Sequence, residues 1–179
     1  REQSSFFAMI KYCFLSVIVL VTIVSYAYMT QLEIEFKTLL TKEQFNQIKK
    51  HFPNAKTIYQ VNHYYQYSDP SIQISCRIRE IDQEKTLTFK MDAKEGRLET
   101  NFKLIDDQLF DREDVKSFLD QHQLSPSFKF IGDLITYRSL VIEDHQEICI
   151  DENHYDGIID YELEVESIDD PQSTLNRFN

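Results

Sequence analysis

Glycine and proline are scarce, three and four in 179 residues. That scarcity excludes collagen-like and low-complexity chains. The three cysteines, Cys13, Cys76 and Cys149, form no C-x-x-C pair and no zinc-ligand spacing. They read as free thiols of a reducing compartment, hence a cytoplasmic protein. No H-E-x-x-H pattern appears, and the five histidines are scattered. No internal repeat is visible. Positive charge is also short: the formal net charge is −11. This argues against a nucleic-acid duplex as partner. It leaves an anionic small molecule open, because the charge of a site and of a whole chain are separate quantities.

Tyrosine and phenylalanine are plentiful, with 10 and 13 residues, which favours strands and a packed interior. One long apolar run, Tyr12–Met29, approaches the minimum length of a membrane-spanning helix. A boundary therefore falls at residue 28. Residues 1–28 are an apolar segment, either a membrane anchor or upstream sequence, and residues 29–179 form one domain. Any membrane contact would run through residues 12–29, with the domain in the cytoplasm.

Within the domain, Gln31–Lys37 alternates polar and apolar residues, the period of a strand. Thr41 and Gln44 form a capping box for a short amphipathic helix closed by Pro53. Strands are expected over Lys56–Tyr67, Ile72–Ile81, Lys85–Met91 and Arg97–Leu104. A helix follows over Asp111–Gln121. Two strand-like runs then flank Gly132-Asp133 within Lys129–Glu143. Glu147–Asp151 and Ile158–Glu166 form a last pair, and Pro171–Asn179 is expected to start a final helix. The pattern is α+β, dominated by an antiparallel sheet or barrel of about eight strands.

Residues two apart on a strand share a face. Glu33, Glu35 and Lys37 therefore point one way, as do Arg77 with Arg79, and Glu162 with Glu164 and Glu166. On one strand such a face is an ordinary solvated surface. Repeated on several strands, some acidic and others basic, it can line the interior of a closed barrel. Charges there must be paired or bind ions. Carboxylates offer hard oxygen ligands for Mg²⁺ or Mn²⁺, and Arg and Lys offer forked or point donors for phosphate oxygens. The two together suit a metal–polyphosphate complex.

The run Glu33-Ile34-Glu35-Phe36-Lys37 resembles the E-x-E-x-K signature of the CYTH superfamily, the triphosphate tunnel metalloenzymes. Later segments follow in matching order. Arg77-Ile78-Arg79 resembles the R-x-R strand, Thr86–Lys90 the strand ending in a phosphate-binding lysine, and Arg97-Leu98-Glu99 the next strand with its glutamate. Thr136-Tyr137-Arg138 resembles the arginine strand, and Asp151 with Asp160–Glu166 the closing acidic hairpin. Asn62-His63-Tyr64-Tyr65 is similar to a segment of Firmicutes-type members.

The resemblance implies a CYTH triphosphate-tunnel domain over residues 29–179, built as an eight-stranded antiparallel tunnel β-barrel with a few flanking helices. It implies Mg²⁺ or Mn²⁺ held by Glu33, Glu35, Asp151, Glu162 and Glu164, and a triphosphate-containing small molecule held by Lys37, Arg77, Arg79, Lys90 and Arg138. Glu33, Glu35, Lys37 and Glu99 stand closest to the chemistry. The implied reaction is hydrolysis of a triphosphate, inorganic tripolyphosphate or a small organic one. The alternatives are cyclisation of ATP to cyclic AMP, and a binding module without turnover. The family's Y-F-D-T stands here as Tyr65-Gln66-Tyr67, without the aspartate.

Overall fold

The computed structural model describes residues 28–33, 35–94, 96–105, 109–143 and 146–167. Most of the apolar run Tyr12–Met29 and the helix expected over Pro171–Asn179 lie outside them. No helix among the described residues is long and apolar enough to cross a membrane.

In chain order the elements are β1 (Met29–Glu33), β2 (Glu35–Leu40), α1 (Lys42–His51), β3 (Lys56–Tyr67), β4 (Ile74–Ile81) and β5 (Glu84–Asp92). Then come β6 (Arg97–Leu104), α2 (Glu113–Gln121), β7 (Phe128–Glu143), β8 (Gln146–Tyr155) and β9 (Ile158–Ser167). All strands join one antiparallel sheet in the order β1-β6-β5-β4-β3-β7-β8-β9-β2.

The two ends of that order are neighbours in the chain. Glu33 pairs with Arg97 of β6, whereas Glu35 pairs with Glu166 of β9. Two residues thus tie opposite margins of the sheet together, which curls it into an open barrel. The α+β barrel class expected from the sequence holds. Among the described residues the strands number nine rather than eight, because the continuous strand expected over Gln31–Lys37 is divided between the two margins. The two runs expected within Lys129–Glu143 are instead one strand. Its pairing with β3 passes from Gly132 to Phe130 and skips Ile131, so a bulge accommodates the irregularity that the glycine announces.

Tight turns keep the register. Asp82-Gln83 and Asp156-Gly157 have positive φ at both positions, the hand that a two-residue hairpin requires. At α1, Thr41 Oγ1 accepts from Gln44 N at 3.2 Å and Gln44 Oε1 accepts from Thr41 N at 2.8 Å, so the expected capping box is formed.

The apolar core lies outside the barrel wall, under the helices. Phe45 of α1 covers Ile148, Ile150 and Val165. Val115, Phe118 and Leu119 of α2 cover Leu87, Phe89 and Phe102. The Phe89 and Phe118 rings stack 5.0 Å apart. Burying each such ring contributes roughly 1.5–3 kcal/mol. Because β8 puts Ile148 and Ile150 under α1, period two sends Cys149 and Asp151 to the opposite, inner face. Outer packing on both flanks therefore frees the barrel interior to be polar.

Candidate active site

The interior encloses a cavity of about 210 Å³. Ten residues singled out in the sequence line it: Glu35, Lys37, Arg77, Arg79, Lys90, Glu99, Arg138, Asp151, Glu162 and Glu164. Glu33 is placed only by its backbone, at the end of β1 opposite Arg97. Glu166, on the face shared with Glu162 and Glu164, and one further acid, Glu147, also line the cavity, with the neutral polar residues Gln31, Gln60, Asn62, Thr136 and Asn153. The interior is thus more mixed than an all-charged face. Glu147 was within reach of the sequence, since it shares a face with Asp151 at period two. The intervening Cys149 interrupted the charged pattern.

Acids and bases occupy different sectors. Glu35, Glu164, Glu162 and Asp151 project from β2, β9 and β8, which are hydrogen-bonded neighbours. Arg77 and Arg79 project from β4, Lys90 from β5 and Arg138 from β7. The sectors meet at two cations. Lys37 Nζ lies 3.1 Å from Glu35, 3.1 Å from Glu164 and 3.9 Å from Glu162. Arg138 donates from Nε and Nη2 to Asp151, and from Nη2 to Glu164 at 2.6 Å. Burial works against both cations, yet their carboxylate partners raise both above their ordinary ranges.

The carboxylates respond differently. Burial, with Glu164 alongside, raises the Glu162 carboxyl. Burial also raises Asp151, against the hydrogen bonds and charge of Arg138. Glu164 resists the same burial penalty because Arg138 and Lys37 hold it below the usual range.

The basic sector is less well neutralised. Burial first, then the neighbouring Arg77 and Arg138, lower Arg79 to about 10. Arg79 Nε donates to Asn62 Oδ1 at 3.0 Å, and Asn62 Nδ2 donates to Leu134 O at 3.4 Å. The buried Nε of Arg77 meets no acceptor among the described residues. A buried donor without a partner is costly, and an anion in the cavity would satisfy it. Beside these, Lys90 Nζ lies 2.9 Å from Glu99. Glu99 is further tied by Asn101 Nδ2 at 2.6 Å, while Asn101 Oδ1 accepts from Thr88 at 2.7 Å. Burial opposes the charge on Glu99, but Asn101 and Lys90 outweigh it and hold the carboxyl below its ordinary value.

The donor set fits a hard divalent cation in chemistry: several carboxylates on adjacent strands face one cavity. Among the described residues no three such groups converge on a common metal position. Lys37 and Arg138 instead draw their oxygens. Cys76 and Cys149 are buried free thiols, and burial pushes Cys149 up to about 12.

Comparison with known proteins gives a consistent set of relatives. A model of the CYTH domain matches residues 31–174. The chain is 30% identical over 160 residues to a Bacillus subtilis (strain 168) protein named "Putative triphosphatase YjbK", covering 78% of this chain and 79% of that one. A crystal structure of a "putative adenylate cyclase" (bh2851) from Bacillus halodurans superposes with TM-score 0.72 at 30% identity, covering 83% of this chain and 88% of the other. The fold is also that of HpAC1 from Hippeastrum, with TM-score 0.66 at 18% identity over 82% of this chain and 84% of that one. HpAC1 is described as an adenylyl cyclase candidate with a dominant triphosphatase activity.

Proposed function

Because the chain belongs to the CYTH domain family, we propose that it is a metal-dependent triphosphatase whose substrate lies inside the barrel. The observation that carries this reading is the basic sector. Three guanidinium groups crowd one wall, burial and then the neighbouring Arg77 and Arg138 push Arg79 down, and the buried Arg77 Nε meets no acceptor among the described residues. A chain of phosphates would bring further negative charge and acceptors to Arg77 and Arg79.

Arg77 and Arg79 grip phosphate oxygens through forked donors, with Asn62 fixing the Arg79 plane. Lys90, oriented by Glu99, and Arg138, oriented by Asp151, add positive charge. Lys37 completes the phosphate contacts from β2. Glu35, Asp151, Glu162 and Glu164, with Glu33, would hold Mg²⁺ or Mn²⁺. When bound, the cation supplies charge neutralisation and Lewis acidity to the phosphate chain. With tripolyphosphate, water attacks the terminal phosphorus, the P–O bond of the anhydride breaks, pyrophosphate leaves, and the water's proton passes to the phosphate products or solvent. Phosphoryl transfer of this kind depends mainly on positioning and charge stabilisation, which the fixed guanidinium groups provide.

Cyclisation of ATP is the competing reading, favoured by the name of the Bacillus halodurans relative. Leu134 and the ring of Tyr64 are the apolar surfaces among the cavity-lining residues. That wall offers little to an adenine ring and favours inorganic tripolyphosphate or a triphosphate whose organic part stays outside. Incubation with tripolyphosphate and with ATP, each with Mg²⁺ or Mn²⁺, separates the readings by product. Phosphate and pyrophosphate from tripolyphosphate support hydrolysis. Cyclic AMP as the main product from ATP supports cyclisation. Ligand-induced stabilisation with no turnover of either supports a binding module.

A further inference from the structure

We propose that Lys37 is an internal counter-ion of the acidic sector. It competes with the divalent cation for Glu35, Glu162 and Glu164, and it is released when a triphosphate draws it away.

The geometry starts with register. Lys37 sits directly across from Glu164, and Glu35 and Glu162 flank that pair on the same inner face. The ammonium reaches Glu35 and Glu164 at 3.1 Å each and Glu162 at 3.9 Å. A lysine headgroup is a compact point charge with three donors, so one such group can serve several carboxylates as a small cation does. Glu164 is committed on both oxygens: Oε1 accepts from Lys37, and Oε2 accepts from Arg138. A divalent cation that approaches Glu164 therefore meets two positive charges already seated on its oxygens and competes with them.

The two cations differ in freedom. The Arg138 side chain is 14% exposed and Asp151, which holds it, 3%. The Lys37 side chain is 45% exposed, while its three carboxylate partners are 16–20% exposed. Its unbranched stem can leave for another acceptor; the Arg138 fork cannot do so without opening the wall. Lys37 is therefore the displaceable group.

This arrangement couples the two ligands. Alone, a divalent cation competes with an ammonium already seated among the carboxylates. A triphosphate gives that ammonium new acceptors and leaves the carboxylates to the metal. Each ligand then strengthens the other, and by linkage the strengthening is equal in both directions. The consequence is weak binding of free metal and entry of the metal with its polyphosphate. The triphosphate half of this statement rests on the function proposed above; the competition between lysine and metal does not.

The test is calorimetric titration of the full chain with Mn²⁺ alone, without any phosphate. Wild type should bind weakly. Lys37→Met should bind Mn²⁺ on the order of tenfold more tightly, a discounted figure for a half-exposed charge. Its thermal midpoint should also rise more on adding Mn²⁺. Lys37→Arg, which keeps the cation, should remain close to wild type. Should Lys37→Met fail to fold, Lys37→Gln makes the same comparison. A methylene-bridged triphosphate analogue should tighten Mn²⁺ binding in wild type and do so less in Lys37→Met. Equal or weaker Mn²⁺ binding by the charge-removed variant would overturn the proposal. Absence of tripolyphosphate turnover with tighter Mn²⁺ binding in Lys37→Met would overturn the triphosphatase reading and leave the counter-ion standing.

Discussion

Arg138 grips Asp151 with two nitrogens: Nε lies 3.0 and 3.2 Å from the two carboxylate oxygens and Nη2 lies 2.7 Å from one of them. The pair spans β7 and β8 at a directly opposed register position, inside the barrel wall. Asp151 is 2% exposed. Removing the cation leaves that carboxylate buried and uncompensated. Arg138→Ala should therefore cost about 3–5 kcal/mol of stability, read from denaturant midpoints. A loss below about 1 kcal/mol, the range of surface pairs, would show that the pair is solvated.

Asn62 acts on Arg79 in a similar way. It is 1% exposed and its Oδ1 accepts from Arg79 Nε. Asn62→Leu should cost about 1–3 kcal/mol by leaving the guanidinium short of an acceptor. It should also raise KM for tripolyphosphate more than it lowers kcat, because the guanidinium keeps its charge and loses its orientation. Steady-state kinetics with unchanged KM would contradict this role.

Glu99 gives a pH signature. Its folded carboxyl is held below the ordinary value of 4.5, with hydrogen bonds from Asn101 and Lys90 outweighing burial. A depressed carboxyl contributes stability that is fully present above the ordinary value and is lost as pH falls through the folded value. The stability gap between wild type and Glu99→Gln should therefore be widest near neutrality and should close progressively below about pH 4.5. Denaturant titrations at several pH values measure it, and a gap that widens on acidification would reverse the assignment.

The thiols should be silent. Cys76 is 0% and Cys149 3% exposed, and burial raises both thiols. Alkylation at neutral pH should leave both unmodified in the folded protein and label both in denaturant, as peptide mapping would show. Rapid labelling of Cys149 in the native state would mean that the barrel interior opens at that row.

Much of this molecule was legible in the chain because its strands alternate cleanly. Charged residues at period two marked an inner face, and Thr41 with Gln44 marked the start of α1. Of the residues marked by that period, Glu35, Lys37, Arg77, Arg79, Glu162, Glu164 and Glu166 line one cavity, and the family resemblance supplied Lys90, Glu99, Arg138 and Asp151. Barrel closure was not legible. Glu33 and Glu35 belong to opposite sheet margins, and only partners some 65 and 130 positions away in the sequence, Arg97 and Glu166, determine that. Asn62 and Asn101 were equally hidden as positioning groups. A neutral amide on a strand looks the same facing solvent or gripping Arg79, and the difference lies in the strand beside it. Lys37 shows the same limit from the other side. The family resemblance assigns it to phosphate, whereas its cross-strand partner Glu164 draws it to the carboxylates.

The central claim is that the barrel interior is a metal-dependent triphosphate-hydrolysing site. The most direct measurement is the rate of phosphate release from tripolyphosphate, with and without Mg²⁺ or Mn²⁺, for wild type and Glu35→Ala. The account predicts turnover by wild type that disappears on chelation, and a fall of about 10²-fold or more in Glu35→Ala with its fold intact. Equal rates and an equal metal response in the two proteins would contradict it.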